Sequence, residues 1–331
     1  MQPLYLLAGS YAYDTVLQHP QAFRQRILPD ELDKLNVSFH VESVVEGFGG
    51  CAGNIAYNAA LLGDAPMLVG NLGYDGERYI ERIAHWGLDT TTLGIVKDQP
   101  TAHAWMLTDE RANQIISFHA GAMKTRVLAR PYSSPTLWHI APEDPVNMVK
   151  LAGDARESGS DYLFDPGQAL PALLEGAERG VIPLGDVLQG AKGIFVNEYE
   201  AELLMRRREC LSGGGFVVKT RGAAGVVLYE GGRSIALPPA TARAVVDPTG
   251  CGDAFRAGFL HAYVRKQPLA ACVSLGAVMG ALAVGSEGGQ NHRATQQEIY
   301  ESWDRYNDAH GIKTVPGTFD VLYSASPRSA L

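Results

Sequence analysis

The 331-residue sequence contains only four cysteines, and their positions match no metal or redox motif. They are Cys51, Cys210, Cys251 and Cys272, so no two of them form a C-x-x-C pair and no histidine stands at zinc-ligand spacing from them. A large chain with so little cysteine is typical of a reducing compartment. The sequence therefore argues against a zinc module and against a small fold held together by disulfides.

Long runs of one charge sign and long apolar runs are also missing. The formal net charge is −8, and no Lys/Arg cluster offers a surface for nucleic acid. The longest apolar stretch, residues 269–285, is interrupted by Ser and Gly and falls short of the ~20 residues that span a bilayer, so it is predicted to be a buried helix. No basic region precedes the first apolar residues, as it would in a signal peptide. We expect a cytoplasmic protein with no membrane or nucleic-acid partner.

Two frequent nucleotide-binding motifs are absent from the sequence. No G-x-x-x-x-G-K-[ST] segment occurs, which excludes a P-loop. No G-x-G-x-x-G follows the first predicted strand, and this disfavours a nicotinamide-dependent oxidoreductase.

Short apolar runs alternate with helical patterns along most of the chain, whose composition is that of a globular protein. Strand-like runs occur within residues 4–9, 61–87, 137–145, 161–167, 193–204 and 215–222. Buried strands separated by helices predict an α/β fold with a doubly wound, mostly parallel, Rossmann-like sheet and helices on both faces. We expect one domain over residues 1–331.

Two segments break this alternation. Residues 35–50 and 101–123 show the period of two that strands have, without helices between them, and the polar residues 109–113 indicate a hairpin turn. We expect these segments to pair into a small second sheet, built from about 14–50 and 100–123. Because ligands of doubly wound folds bind at the carboxyl ends of the strands, such a sheet is suited to act as a lid. Residues 317–331 are expected to form an irregular tail.

The stretch DPTGCGDAFRAGFL at 247–260 places two glycines and an acid at the start of a predicted helix. Gly250 and Gly252 expose the backbone N–H groups of residues 250–253, and the first turn of a helix attracts anions. Asp253 is then either an ordinary helix cap or a base that faces a bound phosphate. The residues by themselves leave both interpretations open.

A second pattern is VNEYEAELL at 196–204. Asn197 and Glu200 follow a strand and are three residues apart, so they share one face of the next helix. An amide and a carboxylate in this arrangement suit a Mg²⁺ ion that keeps its waters. The same spacing is typical of a capping box, which is the more frequent explanation.

Three further segments suit ligand binding or an ordinary turn. In GFGGCAGN at 47–54 the glycines permit close backbone approach, and Asn54 is either a hydroxyl-binding residue or a helix cap. Asp14 follows the first strand and either accepts two sugar hydroxyls or is solvated. KTRGAAG at 219–225 either passes beneath a flat base or is a plain β-turn.

Taken together and in order, these segments resemble the ribokinase-like (PfkB-type) carbohydrate and nucleoside kinases. GGCAGN resembles the first signature of that family, DPTGCGDAFRAGFL its second, and VNEYEAE its N-x-x-E element. The likeness runs from residue 8 to about residue 290. Within the family, SFHAGAM and DPTGCGDAFRAGF are most similar to bacterial adenosine kinases.

The resemblance implies a kinase that uses ATP and Mg²⁺, with K⁺ as a further ion in many members. It implies Asp253 as the base that takes the proton of the acceptor hydroxyl. The N–H groups of Gly250, Cys251, Gly252 and Asp253 would form an anion hole. The other implied positions are Ser10, Asp14, Gly49, Gly50, Asn54, Phe118 and Gln168 for the acceptor; Asn197, Thr220, Gly222 and Gly225 for ATP; Asn197 and Glu200 for Mg²⁺ through water; and Asp247 with the GSEGGQ loop for the monovalent cation.

The expected reaction is phosphorylation of the 5′-hydroxyl of a ribonucleoside, with adenosine converted to AMP. A sugar kinase, a broader nucleoside kinase of the same family and a binding protein without chemistry are the alternatives. Ala104 stands where the family has an aromatic residue that stacks on the base, although Trp105 follows it, and Ala169 stands where a second Gln is expected after Gln168. The base pocket is therefore partly rebuilt.

Three secondary expectations complete the hypothesis. Sheet edges of such lids pair between subunits, which predicts a possible homodimer. The Cys251 thiol, at the start of a helix, is expected to have a lowered pKa. Asp253 is expected to have the ordinary carboxyl pKa near ~4, so positioning rather than basicity would carry its function.

Overall fold

The computed structural model describes residues 3–27, 36–111, 113–125, 136–207 and 215–315. The strands are β1 (Leu6–Ala8), β2 (Ala12–Gln18), β3 (Ser43–Gly49), β4 (Met67–Val69), β5 (Asn71–Gly73), β6 (Gly94–Val96), β7 (Ala102–Thr108), β8 (Gln114–His119), β9 (Leu137–Ile140), β10 (Asp161–Phe164), β11 (Gly193–Asn197), β12 (Phe216–Thr220), β13 (Val226–Glu230) and β14 (Arg233–Leu237). The helices are α1 (Cys51–Leu61), α2 (Glu77–His85), α3 (Pro145–Glu157), α4 (Leu170–Glu178), α5 (Leu184–Gly190), α6 (Glu198–Arg206), α7 (Cys251–Val264), α8 (Leu269–Ala283) and α9 (Gln296–His310).

An eight-stranded sheet forms the centre of the molecule, in the order β14-β13-β12-β11-β10-β9-β1-β4. All pairs from β12 to β4 are parallel, and the two pairs at one edge, β12–β13 and β13–β14, are antiparallel. The predicted mostly parallel sheet is confirmed. The hairpin β13–β14 was not predicted. The central sheet was predicted from strands that alternate with helices, and no helix separates these two strands.

Helices cover both faces of this sheet. Along β1, Leu6 packs into one apolar cluster with α3 to α6, and Leu7 packs into the other with α1, α2 and α7 to α9. Ile194 and Phe195 of β11 divide in the same way. Because neighbouring strand residues point to opposite faces, a strand that is apolar at every position must be buried on both sides.

The apolar stretch at 269–285 forms α8, a buried helix as predicted. Its neighbours are α7 and α9, and Trp303 of α9 donates a hydrogen bond from Nε1 to the buried Ser274 Oγ at 2.7 Å. In the ranges given above, no helix is both long and apolar enough to cross a membrane.

A second, four-stranded sheet has the order β3-β2-β7-β8. The segments 35–50 and 101–123 supply three of these strands, as predicted, and β7 and β8 are joined through the expected turn. Asp109 closes that turn, since its N–H donates to the Asn113 carbonyl at 3.0 Å. The predicted tail at 317–331 lies outside the described residues.

Candidate active site

The centre of the site is the N-terminal end of α7. Gly250 precedes the helix with φ of 75°, in the left-handed region, and a Cβ atom there would collide with Gly289. Glycine is therefore needed both for the turn and for the close approach of the two loops. The first N–H groups of any helix have no acceptor inside it. The Cys251 N–H, however, donates to the Pro248 carbonyl at 3.2 Å, so this one of the predicted anion-hole donors is engaged in the turn.

Asp253 lies in the first turn of α7 and meets Asn54 of α1. Asn54 Nδ2 donates a hydrogen bond of 2.8 Å to Asp253 Oδ2. Burial raises the pKa of Asp253 to about 6, although the Asn54 hydrogen bond and the Arg256 charge act in the opposite direction. The expected pKa near ~4 is therefore wrong, since burial disfavours the ionised form. Asp253 is a stronger base than an ordinary carboxylate.

A buried ion pair lies beneath Asp253, and sequence reasoning missed it. Arg256 Nε donates to Asp165 Oδ2 at 2.8 Å, and Arg256 Nη1 donates to the Gly252 carbonyl at 3.2 Å. Arg256 is 7% exposed and Asp165 is 2% exposed. The pair thus joins the first turn of α7 to the end of β10. An arginine within the apolar stretch DAFRAGF was the available signal, because a buried arginine requires a partner.

One row of paired residues across the small sheet contains two of the residues predicted to bind the acceptor. Asp14 pairs with Gly47 of β3 and with Ala104 of β7, and Ala104 pairs with Phe118 of β8. Residues paired in this way present their side chains on the same face. Phe118 is 53% exposed, so its ring is available to a ligand. The row brings Asp14 and Phe118, both predicted acceptor residues, to one surface.

The Asp14 carboxylate lies over Gly49, where a Cβ atom would collide with it. Burial raises the pKa of Asp14 to about 6. Gly50 has φ of 83°, and a Cβ atom there would approach the Ser10 carbonyl and the Ala12 nitrogen to 2.6 Å. The two glycines therefore allow the chain to pass from β3 into α1 directly beside Asp14.

Trp105 does not belong to this row. It lies one residue further along β7 than Ala104, and so on the opposite face of the sheet. There its ring stacks on His103, with centroids 4.1 Å apart and planes 3° apart. Trp105, although it follows Ala104 in the sequence, therefore does not replace the missing aromatic residue on the face that carries Asp14 and Phe118.

A small cluster at the start of α1 contains Ser10, Cys51 and Gln168. Ser10 Oγ accepts a hydrogen bond from the Cys51 N–H at 3.0 Å, which caps the first turn of α1. Gln168 is exposed, and its Oε1 atom lies 3.8 Å from Cys51 Sγ. Burial, with the charges of Asp253 and Asp165, raises the pKa of the Cys51 thiol well above its ordinary value. The Cys51 thiol is therefore neutral, and it lines the site next to Asp253.

Asn197 and Glu200 form a complete capping box at the start of α6. Asn197 Oδ1 accepts from the Glu200 N–H, and Glu200 Oε2 accepts from the Asn197 N–H, both at 2.8 Å. Asn197 Nδ2 also donates to Glu200 Oε1 at 2.8 Å. Because each of these oxygens already accepts a hydrogen bond, the pair fits a Mg²⁺ ion through water better than by direct ligation. In the described ranges, no group of three or more His, Cys, Asp or Glu forms a metal site.

A cavity of about 460 Å³ begins at Pro239, two residues after Leu237, which the predicted ATP turn contacts. Gly225 has φ of 86°, and a Cβ atom there would collide with the Leu237 carbonyl. Thr220 Oγ1 donates to the Val196 carbonyl at 3.4 Å, while a 3₁₀ turn covers Gly222–Ala224. Segment 239–244, α8 and α9 line the cavity, with Arg243, Arg293 and Arg305 among the lining residues. No motif pointed to these residues, which come from three separate parts of the chain.

Asp247 holds two loops together. Its Oδ1 accepts from the Thr249 N–H at 2.9 Å, and its Oδ2 accepts from the Gly288 N–H at 2.8 Å. Burial alone would raise the pKa of Asp247, but these hydrogen bonds outweigh it and lower the pKa. Since its carboxylate oxygens bind backbone N–H groups, a monovalent cation here would rely mainly on carbonyl oxygens. Its binding remains a prediction.

Cys251 differs from its expected chemistry. Burial raises the pKa of its thiol to about 11, and the charges of Asp247 and Asp253 act in the same direction. The predicted lowering is wrong, because burial, together with two nearby carboxylates, outweighs the effect of the helix terminus.

Comparison with known proteins places this site in a family. A family model described as pfkB family carbohydrate kinase matches residues 13–296. The nucleoside kinase of Methanocaldococcus jannaschii is 31% identical over 283 residues, covering 82% of this chain and 90% of that protein. The cytidine kinase of Thermococcus kodakarensis is 31% identical over 240 residues, covering 69% and 84%. The structure of Burkholderia thailandensis nucleoside kinase in complex with inosine has a TM-score of 0.78 and 32% identity, covering 94% of this chain and 99% of that one.

The chain therefore belongs to the PfkB family of carbohydrate kinases, and its fold is ribokinase-like. It is a kinase with homologues named nucleoside kinase. The resemblance carried by GGCAGN and DPTGCGDAFRAGFL is confirmed at the level of the family.

Proposed function

We propose that the chain transfers the γ-phosphoryl group of ATP to the 5′-hydroxyl of a ribonucleoside, with adenosine as the favoured acceptor and other purine ribonucleosides also accepted. The row Asp14–Ala104–Phe118 is the observation that carries this proposal. It offers a carboxylate for the ribose hydroxyls and an exposed aromatic ring two strands away for the base. The relatives named nucleoside kinase and cytidine kinase support it.

Asp253 acts as the base of the proposed reaction. Its carboxylate accepts the proton of the 5′-hydroxyl as the bond from that oxygen to phosphorus forms and the bond to the leaving ADP breaks. The N–H groups at the start of α7 stabilise the negative charge on the transferring group. Asn54 keeps the carboxylate in place through the hydrogen bond to Oδ2, which leaves Oδ1 for the proton.

ATP would bind on the other side of α7. The cavity beside the Gly225 turn has room for a nucleoside group, and its three arginines suit a polyanion. Mg²⁺ supplies charge neutralisation for the phosphates, and Asn197 and Glu200 would hold its waters. K⁺ would bind beside Asp247, mainly through carbonyl oxygens, because the carboxylate oxygens already accept backbone hydrogen bonds.

The acceptor row also explains why a nucleoside is preferred to a free sugar. A sugar would fill the Asp14 end of the row and leave Phe118 without a partner. Stacking of a base on an aromatic ring contributes ~1–3 kcal/mol and tolerates any purine. Gln168 is the one predicted residue for the base edge, and a single exposed hydrogen bond discriminates weakly. We therefore propose looser base selection than a dedicated adenosine kinase would have.

A matched pair of variants tests the acceptor assignment. Phe118→Ala removes the ring on the acceptor face, whereas Trp105→Ala removes a ring on the opposite face of the same sheet. We expect Phe118→Ala to lower kcat/KM for adenosine and inosine roughly tenfold or more, with little change for ribose. Trp105→Ala should leave kcat/KM nearly unchanged for the nucleosides and for ribose. The panel includes guanosine, cytidine and fructose, and a sugar that outperforms every nucleoside would establish the sugar-kinase alternative.

The homodimer is proposed separately. The edge strands β3 and β8 carry exposed apolar residues, among them Val44, Val45, Ile115 and Ile116. An exposed apolar edge favours pairing with another strand, and the same edges of a second copy would supply it. Sedimentation equilibrium at micromolar concentration should give twice the chain mass. A mass of 35.6 kDa would contradict the proposal.

A further inference from the structure

A chain of hydrogen bonds, buried at its centre, leads from α2 to Asp253. Arg82 of α2 donates from Nε to Gln290 Oε1 at 3.0 Å and from Nη2 to the Gln290 carbonyl at 2.9 Å. Gln290 Nε2 donates to Asn54 Oδ1 at 3.0 Å. Asn54 Nδ2 then donates to Asp253 Oδ2 at 2.8 Å. Four side chains from four different segments are therefore linked in series.

The order of donors and acceptors in this chain has only one consistent direction. Arginine has no acceptor atom, so it can only donate. Arg82 therefore requires the oxygen of the Gln290 amide on its side, which turns the Gln290 nitrogen toward Asn54. The Asn54 oxygen must then face Gln290, which turns the Asn54 nitrogen toward Asp253. Reversal of either amide would place like atoms against each other.

Burial makes this direction costly to change. Gln290 is 3% exposed and Asn54 is 5% exposed, so water has little access to replace a lost partner. A buried polar atom without a partner costs ~1–3 kcal/mol. The loop also packs closely, since a Cβ atom on Gly289 would collide with the Asn54 amide. Tyr79, which is fully buried, accepts a second hydrogen bond from Gln290 Nε2 at 2.8 Å and fixes that nitrogen further.

We propose that Gln290 and Arg82 are positioning residues that fix the Asn54 amide so that its nitrogen, and not its oxygen, faces the Asp253 carboxylate. They act through Asn54 and need no contact with the substrate. An Asn54 amide of the opposite orientation would set an oxygen against the ionised carboxylate and make ionisation less favourable. The inference rests on the proposed role of Asp253 as the base.

Three other groups lie around Asp253, and each is held by contacts other than those of Gln290 and Arg82. Arg256 faces it from its own helix, Asp165 from the end of β10, and Cys51 from α1. None of these three has a hydrogen bond to Gln290 or Arg82 among those found in the described residues. A change in the titration of Asp253 on substitution of Gln290 would therefore come through Asn54.

The first experiment compares Gln290→Met with Gln267→Met. Gln267 is a second buried glutamine, 5% exposed, beyond the opposite end of α7. Both ends of its amide are also hydrogen-bonded: Nε2 donates to the Val315 carbonyl, and Oε1 accepts from the Val315 N–H. We expect Gln290→Met to move the acid limb of the kcat profile upward by about half a pH unit or more, which lowers kcat about twofold or more at pH 6. Gln267→Met should leave the limb in place, even if it lowers the melting temperature.

A double-mutant cycle tests whether Gln290 acts through Asn54. In an Asn54→Ala background, Gln290→Met should produce no further shift of the acid limb, because its target is gone. Additive shifts would overturn the inference, since they would require a route that avoids Asn54. Loss of activity in Asp253→Asn belongs to the proposed function, and its absence would refute that function independently of Gln290.

Arg82 provides a second test if Gln290→Met does not fold. Arg82→Lys keeps a donor for Gln290 Oε1, whereas Arg82→Met removes it. We expect the acid limb to shift in Arg82→Met and to return toward the wild-type position in Arg82→Lys. Equal shifts in both variants, or no shift in either when folded, would contradict a positioning role.

Discussion

Asn54 Nδ2 donates a hydrogen bond of 2.8 Å to Asp253 Oδ2, and the two residues are 199 positions apart in the sequence. One belongs to GGCAGN and the other to DPTGCGD, so the bond joins the two segments that resemble the family signatures. It connects a residue of α1 that is proposed to bind the acceptor with the proposed base at the start of α7. In the proposed reaction, this bond would couple acceptor binding to proton removal.

The raised pKa of Asp253 predicts how the rate depends on pH. Burial raises this pKa to about 6, and only the ionised carboxylate accepts a proton. With ATP and nucleoside both saturating, kcat should therefore rise as the pH increases through about 6. Circular dichroism at pH 5 should show that the protein stays folded. If kcat instead rose through pH 4, the Asp253 carboxyl would titrate as it does in water.

Asp14 predicts a proton released on acceptor binding. Its pKa is raised to about 6 by burial, and hydrogen bonds from two ribose hydroxyls favour the ionised form. Below pH 6, adenosine binding should therefore release protons, and its dissociation constant should rise as the pH falls. Calorimetry in two buffers with different ionisation enthalpies measures this release. Asp14→Asn is the control and should abolish it.

The ribose hydroxyls should also matter for rate. If Asp14 binds both, 2′-deoxyadenosine leaves a buried carboxylate oxygen without its donor, at a cost of ~1–3 kcal/mol. We expect a loss of roughly tenfold or more in kcat/KM relative to adenosine. Equal kcat/KM values for the two nucleosides would remove Asp14 from the ribose site.

Glu200 tests the metal role against the capping role. Glu200→Ala should raise the Mg²⁺ concentration needed for half-maximal rate, because Glu200 would bind waters of the ion. The matched control is Glu298→Ala, which breaks the other complete capping box described, that of Thr295 and Glu298 at α9. Loss of a cap costs ~0.5–2 kcal/mol in either variant, so both should melt somewhat earlier. If both show the wild-type Mg²⁺ titration, Glu200 is a cap alone.

Cys251 should react slowly with alkylating reagents. With a pKa of about 11, its thiol is ionised to about one part in a thousand at pH 8, three units lower. We expect iodoacetamide to modify Cys251 in the native protein far more slowly than in urea, as mass spectrometry of the peptide reports. Equally fast alkylation in both states would show that the carboxylates nearby do not hold the thiol neutral.

Local patterns in the sequence predicted the central sheet and the small second sheet, because buried and half-buried strands have different periodicities. The patterns also identified Asp253 and Asn54 at the starts of helices. Asp14, which was predicted to follow the first strand, instead lies within β2, because the chain forms a second strand directly after β1. The patterns did not predict the orientation of Trp105. Side chains alternate between the two faces of a strand, so a shift of one residue in the alignment of β7 places Trp105 on the other face.

Long-range side-chain pairs escaped prediction for a different reason. Arg256 and Asp165 are 91 residues apart, and Gln290 and Asn54 are 236 apart. Nothing in the local sequence of either partner specifies the other. The pKa values of Asp253 and Cys251 were mispredicted on the same ground, since burial and neighbouring charges exist only in the folded chain.

The most direct test of the account is the rate of Asp253→Asn with saturating MgATP and adenosine. The substitution keeps the size of the side chain but removes the base. We predict that kcat falls at least ~10³-fold while the dissociation constant for adenosine changes little, because the role of the base lies in the transition state. A folded Asp253→Asn variant that keeps a tenth of the wild-type kcat would contradict the assignment of Asp253 as the base.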